Sequence, residues 1–322
     1  MRILTWHIHG SYLYYLTQAP HEFYLPVKVG KPEGYGGRLP NFPWGNNVYE
    51  VPAAEVRQLK FDCILFQSRR NYLEDRYKIL SPSQRQLPQL YLEHDPPQEH
   101  PTNTRHIVDD PQILLIHVTH FNNLMWDCGS TPTRVIEHGV PCPEKITYTG
   151  EKSKGLVVIN GLQKRGRRLG ADIFAEVRRQ IPLDLVGMGA ESLGGLGEIP
   201  HHQLSAFAAS YRFFFHPARY TSLGLAVCEA MRLGMPIVGL ATTELCTVIK
   251  NGVSGYISTD VTWLVARMQG LIENRDLALA LGSEAKRIGD RRFSWERFIQ
   301  DWNGAFTWAC DRQLMPLGED RR

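Results

Sequence analysis

Short apolar runs alternate with longer amphipathic stretches along this chain, the order expected when parallel strands are joined by helices. In the first half the strand-like runs fall at residues 2–7, 63–67, 89–93, 113–119 and 134–137, and helical spacing appears at 12–18 and 53–59. Two irregular stretches interrupt this rhythm. Residues 30–47 hold five glycines and three prolines, and residues 95–111 hold four prolines. Structureless loops of that length in compact domains are usually functional, so both are expected to edge a binding cleft. A Pro- and Gly-rich break at 141–153 separates the halves. Beyond it come strand-like runs at 155–159, 183–186, 212–216, 236–239 and 255–258, helical runs at 170–180, 202–210 and 223–233, and three amphipathic segments ending near residue 310. The expectation is an α/β chain of two domains, residues 1–145 and 146–322, each a parallel sheet wrapped by helices. Ligands of such sheets sit outside the carboxyl ends of the strands, and a cleft between two such domains follows.

Composition narrows the function classes. The chain has 322 residues, 43% of them hydrophobic and 21% charged, enough apolar content for a core in each half. The net charge of +3 is too mild for a nucleic-acid-binding surface. The first 150 residues carry 14 basic and 15 acidic side chains and the rest 22 and 18, so an anionic ligand is expected on the C-terminal half. Six scattered cysteines without a C-x-x-C pair suit a reducing compartment. The start Met1-Arg2-Ile3-Leu4 reads as a strand rather than a leader, and no apolar run reaches the roughly 18 residues of a membrane span, so a cytoplasmic protein is expected, with peripheral association at a membrane surface as the alternative.

One segment concentrates chemistry. The apolar run Phe213-Phe214-Phe215 leads through a polar turn into Thr221-Ser222-Leu223-Gly224-Leu225, and a helix is expected from there to Leu233, with Thr221 or Ser222 as its cap and Gly234 as its stop. Free amides at such a helix tip, backed by the helix dipole, form an anion site. Gly224 would let a ligand approach the backbone. Glu229 lies seven residues beyond Ser222. At 1.5 Å per residue that is about 10 Å along the helix, comparable to the span from a diphosphate to its ribose hydroxyls. A core helix whose Glu229 merely pairs with a nearby arginine is the plain alternative.

The stretch T-S-L-G-L-A-V-C-E-A-M-R-L-G-M-P-I-V-G at 221–239 resembles the E-G-F-G-L-x-x-x-E-A-M-A-x-G-x-P-V-V signature of family 4 glycosyltransferases. The likeness extends to Gly252-Val253-Ser254-Gly255-Tyr256-Ile257, to Phe293-Ser294-Trp295-Glu296, and upstream to Leu185-Val186-Gly187-Met188-Gly189 and Gly197-Glu198-Ile199-Pro200. In the first half it is thin, resting on Ile136-Glu137-His138-Gly139-Val140 and on Tyr91-Leu92-Glu93-His94-Asp95. The resemblance implies a GT-B fold, two Rossmann-like domains facing a central cleft, with a last helix near 294–310 crossing back onto the N-terminal domain. It implies a retaining, metal-independent transfer of a sugar from a nucleotide-diphosphate sugar, with UDP or GDP as the expected carrier and a carbohydrate or lipid-linked acceptor. Glu229 matches the glutamate that contacts the nucleotide ribose; Thr221 stands where the family has the glutamate that contacts the transferred sugar.

The remaining site residues follow from the same likeness. Lys164, Arg165 and Arg168 lie in a four-cation turn after the strand at 155–159, similar to the family's phosphate-contacting segment, although Gly161 falls where an arginine is usual. With Ser222, Leu223, Gly224 and Leu225 they are expected to hold the diphosphate. His94 matches a cleft histidine and is expected to position substrate, and Gly10 and Ser11 match a small-residue turn near donor or acceptor. Two other readings stand beside this one. His7-Ile8-His9, an H-x-H on one face of a strand, together with His94, His117 and His120, suits a metal-dependent hydrolase. Thr221 also suits a catalytically silent relative that only binds sugar nucleotides.

Overall fold

In the computed structural model, residues 1–142 and 145–314 are described. The chain divides into two compact units: Met1–Glu137 together with the residues from Glu296 onward, and His138–Trp295.

The first unit is built on seven strands: β1 (Arg2–Thr5), β2 (Glu22–Val27), β3 (Val48–Pro52), β4 (Cys63–Phe66), β5 (Gln89–Glu93), β6 (Leu114–His117) and β7 (Thr133–Val135). They lie in the order β3-β2-β1-β4-β5-β6-β7, every pairing parallel. β1, β4, β5 and β6 are apolar almost throughout, as sheets covered on both faces require. Trp6, Phe66, Tyr91 and Leu115 belong to one core. Helices α1 (Gly10–Leu16), α2 (Arg76–Ile79, preceded by a π turn at Asn71–Asp75), α3 (His120–Met125) and the last helix, α11 (Trp295–Leu314), complete the unit. On α11, Trp302 and Phe306 are fully buried, and the Trp302 indole N–H donates to the Tyr12 hydroxyl at 3.2 Å.

β2 and β3 are absent from the sequence expectation. The F-Y-L run of β2 ends in Pro26, which cannot donate to a ladder, and β3 is an edge strand with only Val48 and Val51 buried. The helix expected at 53–59 is a single 3-10 turn at Val56–Gln58.

The second unit carries β8 (Lys152–Val158), β9 (Leu183–Val186), β10 (Tyr211–His216), β11 (Ile237–Leu240) and β12 (Gly255–Ser258), in the order β12-β11-β10-β8-β9, again all parallel. Around them lie α4 (Leu162–Arg165), α5 (Ala171–Val177), α6 (His201–Ala208), α7 (Leu225–Leu233), α8 (Leu245–Val248), α9 (Val261–Glu273) and α10 (Arg275–Arg292). Phe213 and Phe215 on β10 pack with Val157, Leu185, Val238 and Leu264 in its core.

Each sheet has one point where the strand order reverses, between β1 and β4 and between β8 and β10. Loops leaving the carboxyl ends of the two strands at such a point diverge and leave a crevice for ligands. The basic turn follows β8 and the Thr221–Leu225 segment follows β10; His9 follows β1 and Gln67 follows β4. Topology alone thus brings the basic turn and the Thr221–Leu225 segment to one carboxyl end and His9 to the other.

Candidate functional site

In the second unit, the loops after β8 and β10 are stapled together. Arg168 accepts from the amides of both Arg219 (2.9 Å) and Tyr220 (3.1 Å) through its carbonyl. Gly170 makes this approach possible: its φ is +80°, and a Cβ there would lie 2.0 Å from the Pro217 carbonyl oxygen. Asp172 pairs with Arg167 (2.5 Å) and with both terminal nitrogens of Arg219 (2.6 and 2.8 Å). Its hydrogen bonds from Arg219 hold the Asp172 carboxyl below the ordinary carboxylate range. Arg167 and Arg219 are therefore committed to the scaffold. Lys164, at the exposed end of α4, and Arg165 beside it stand on a one-turn helix capped by Gly161 in the left-handed region. Arg168 differs from its neighbours, because its Nη1 is buried with no hydrogen-bond partner. A buried guanidinium nitrogen without a partner is costly, and an anionic oxygen would satisfy it.

The turn after β10 departs from expectation in one respect. Helix α7 begins at Leu225, capped by Gly224 with φ −69° and ψ 141°, and not at Thr221 or Ser222. The reason is tertiary. The Leu223 carbonyl, which a longer helix would use internally, instead accepts a 2.6 Å hydrogen bond from His138 Nε2, and Val227 donates to the Gly224 carbonyl at 3.0 Å. Thr221 and Ser222 remain in the loop, mostly buried. No acceptor within the described residues engages the amides of Leu223, Gly224, Leu225 or Ala226. A Cβ on Gly224 would meet nothing within 4 Å, so the open space there is not filled by this chain. Glu229 is five residues from the cap, about 7.5 Å along the axis rather than the 10 Å expected from Ser222. Its side chain is 18% exposed, and its Oε1 lies 3.4 Å from Nε2 of His201, the first residue of α6. His201 and His138 also stand at the candidate site, and no sequence signal marks either: His138 lies within the stretch Ile136–Val140, but nothing in the spacing links it to Leu223.

In the first unit, His94 follows β5 directly. Its Nε2 lies 3.3 Å from Gln67 Oε1, while the Gln67 amide nitrogen donates to Thr5 Oγ1 (2.9 Å) and to the Trp6 carbonyl (3.0 Å). That carbonyl can only accept, which fixes the Gln67 amide and requires the His94 proton on Nε2. The His94 ring stacks at a tilt on His9 (centroids 4.0 Å apart) and meets Tyr12 edge-on (4.9 Å). Its carbonyl accepts from Asn122 Nδ2 (3.2 Å), and the next carbonyl, of Asp95, accepts from the Trp126 indole (2.9 Å). The loop at 95–111 is anchored further by buried His106, whose Nε2 donates to Glu93 Oε2 at 3.2 Å.

One expectation for this unit needs correction. His7 and His9 do not share a strand face, because β1 ends at Thr5. Buried His7 turns its Nδ1 to the Gly37 carbonyl (2.6 Å), whereas His9 caps α1 and stacks on His94, so the H-x-H pair does not converge on a metal. Among the described residues no group of three or more His, Cys, Asp or Glu is placed to hold a metal ion. His117, of the same alternative, is buried and held neutral, its pKa lowered to about 3 by desolvation and secondarily by His106. Gly10 opens α1, and a Cβ there would lie 2.9 Å from the Phe42 ring and 3.2 Å from His7 Nε2, so its own chain approaches it closely. Ser11 beside it is half-buried.

Comparison with known proteins now defines the class. Residues 190–288, which include α7 and Glu229, match the family described as glycosyl transferases group 1. Over most of its length the chain superposes on sucrose-phosphate synthase from Thermosynechococcus elongatus (TM-score 0.70, 14% identity, 97% of this chain and 100% of that one). It also superposes on HepE from Anabaena, solved in complex with UDP (TM-score 0.65, 16% identity, 96% and 100%). At these identities the likeness carries the fold: an α/β chain of the GT-B class, with a seven-stranded and a five-stranded parallel sheet. Two curated relatives are closer in sequence. D-inositol 3-phosphate glycosyltransferase of Geodermatophilus obscurus is 30% identical over 141 residues, 42% of this chain and 30% of that one. O-antigen chain mannosyltransferase B of Escherichia coli is 35% identical over 107 residues, 31% and 26% respectively. The aligned segment spans less than a third of either relative's length.

Proposed function

We propose that the chain is a glycosyltransferase that moves a sugar from a nucleoside-diphosphate sugar, UDP-linked first among the candidates, to a hydroxyl acceptor. One observation carries this reading: the uncommitted amides of Leu223–Ala226 and the unpartnered Arg168 Nη1 belong to the two loops at the switch point of one sheet, with Glu229 farther along the same helix. Amides at a helix tip suit a diphosphate, and a carboxylate beyond them suits the two hydroxyls of a ribose.

In the reaction the bond from the anomeric carbon to the diphosphate oxygen breaks, and a bond from that carbon to the acceptor oxygen forms. The acceptor proton passes to the departing diphosphate. Negative charge grows on that leaving group, so its stabilisation decides the rate. Arg168, with Lys164 and Arg165, supplies the charge without a metal ion or other cofactor. The transfer is assigned as retaining: the acceptor attacks from the face the diphosphate leaves, where a diphosphate oxygen can take the acceptor proton. Ser222 contributes its amide and hydroxyl to the phosphate loop, and Thr221 offers only a hydroxyl to the sugar. His94, proton fixed on Nε2, is assigned to positioning on the acceptor side rather than to covalent catalysis.

The test is a thermal-shift and calorimetric panel of UDP, GDP, ADP and TDP, followed by turnover with the matching nucleotide sugars. Stabilisation by one nucleoside diphosphate and release of that diphosphate on turnover are expected. A protein that binds none of them lacks the proposed activity.

A further inference from the structure

At the amino ends of β5 and β6, the opposite edge of the first unit's sheet from His94, lies a cavity of about 520 Å³. Gln89, the first residue of β5, and Ile113, just before β6, line it together with Arg76, Tyr77, Arg85 and Arg312. β5 spans five residues, so this cavity is about 15 Å from the His94 end of the strand. Its chemistry is uneven. Three guanidinium groups face a single carboxylate, that of Asp110.

Neither Arg76 nor Arg85 has a carboxylate partner among the described residues; both are held against aromatic rings instead. Arg76 sits over Tyr72 (4.2 Å) and Tyr77 (4.7 Å) and donates to the Tyr77 hydroxyl at 2.6 Å. Arg85 lies over the same Tyr77 ring at 5.3 Å. Two cations sharing one ring without a counter-charge repel each other, and an anion between them removes that cost. Unused hydrogen-bonding capacity remains in the wall: Arg76 Nε and Gln89 Oε1 are buried with no partner. Tyr77 itself is 51% exposed, leaving much of its ring open to a ligand. The volume exceeds what a bare phosphate fills and falls within the range of small-molecule sites.

We infer that this cavity is a second ligand site that takes a phosphorylated monosaccharide: phosphate on Arg76 and Arg85, sugar ring against Tyr77, hydroxyls toward Gln89 and Asp110. Guanidinium forks match phosphate geometry, and an exposed aromatic face with flanking amide and carboxylate groups matches a sugar ring. Nothing in this inference depends on the donor chemistry assigned to the second unit.

The test is calorimetric titration of the intact protein with glucose 1-phosphate, inorganic phosphate and glucose. Glucose 1-phosphate is expected to bind at one site per chain, at least about tenfold more tightly than inorganic phosphate, and glucose alone not at all. Arg85→Gln weakens glucose 1-phosphate by about tenfold or more, and Arg76→Gln with Arg85→Gln abolishes it. Tyr77→Ala reduces it to the level of inorganic phosphate, while Glu229→Ala leaves it unchanged. Tyr77 is exposed and Arg85 half-buried, and unchanged unfolding midpoints separate lost binding from lost fold. Absence of glucose 1-phosphate binding, its persistence in Arg85→Gln and Tyr77→Ala, or its loss in Glu229→Ala would each overturn the assignment; equal affinity for inorganic phosphate would overturn the sugar half of it.

Discussion

The carboxyl ends of the two sheets are built to different plans. In the second unit the ends of β8 and β10 present backbone amides and cations, with two of the arginines locked to Asp172 and a third, Arg168, left with an unmet nitrogen. In the first unit the groups that meet His94 at the ends of β1, β4 and β5 are two rings and an amide: His9, Tyr12 and Gln67. The former is an electrostatic cradle made largely of main chain, which tolerates side-chain change. The latter depends on side-chain identity and orientation. The two ends should therefore fail differently when altered, and that contrast can be broken or sharpened by experiment.

The largest effect belongs to the junction of the cradle. Gly170→Ala forces a Cβ into the Pro217 carbonyl at a positive φ, at a cost of about 3 kcal/mol or more. Chemical denaturation should show that loss, and nucleotide affinity should fall with it because the β8 and β10 loops separate. His94→Ala should do the opposite: transfer slows by about 100-fold, while diphosphate affinity measured by calorimetry stays within about twofold. A matching loss of affinity would mean that the division between electrostatic and positional ends is wrong.

A smaller effect is set by pH. His216, at the end of β10, is buried, and desolvation lowers its pKa from 6.5 to about 4. In the unfolded chain it takes up a proton as pH falls through 6.5; in the folded chain it stays neutral until about 4. Protons favour the unfolded state in that window, so its contribution is intact above pH 6.5 and declines below it, by about 1.4 kcal/mol per pH unit. His117 adds the same sign. Denaturant melts across this range should show the decline, and His216→Gln should flatten it. The smallest effect is expected at Gly10→Ala, where the displaced neighbour is the rim of the half-buried Phe42 ring. An unfolding midpoint lower by the equivalent of about 1 kcal/mol, with diphosphate affinity unchanged, marks Gly10 as a packing position.

The contrast also explains what could be read in advance. A main-chain cradle leaves a sequence trace, because caps, glycines and periodicity are local: the β10–α7 segment, Glu229 and the basic turn were all visible. So was the strand content of the second unit, where every strand carries a short apolar stretch, although β8 opens with Lys152-Ser153-Lys154 and β9 and β10 include Asp184 and Arg212. The exact helix start was not, since it turns on His138 reaching Leu223 from 85 positions away. The first unit was legible only in outline. β2 and β3 were hidden by Pro26 and by an exposed edge, and the partners of His94 come from the ends of β1 and β4, separated from it by tens of residues. The H-x-H pair failed for a related reason: alternation on a strand applies only while the strand lasts, and β1 stops two residues before His7.

The measurement closest to the central claim is a calorimetric titration of UDP into the wild-type protein and into Glu229→Ala. The account predicts a single site in the wild type and a loss of about 1–3 kcal/mol in the variant, the range for charge-assisted hydrogen bonds. Equal affinities in the two proteins, each folded to the same midpoint, would contradict it.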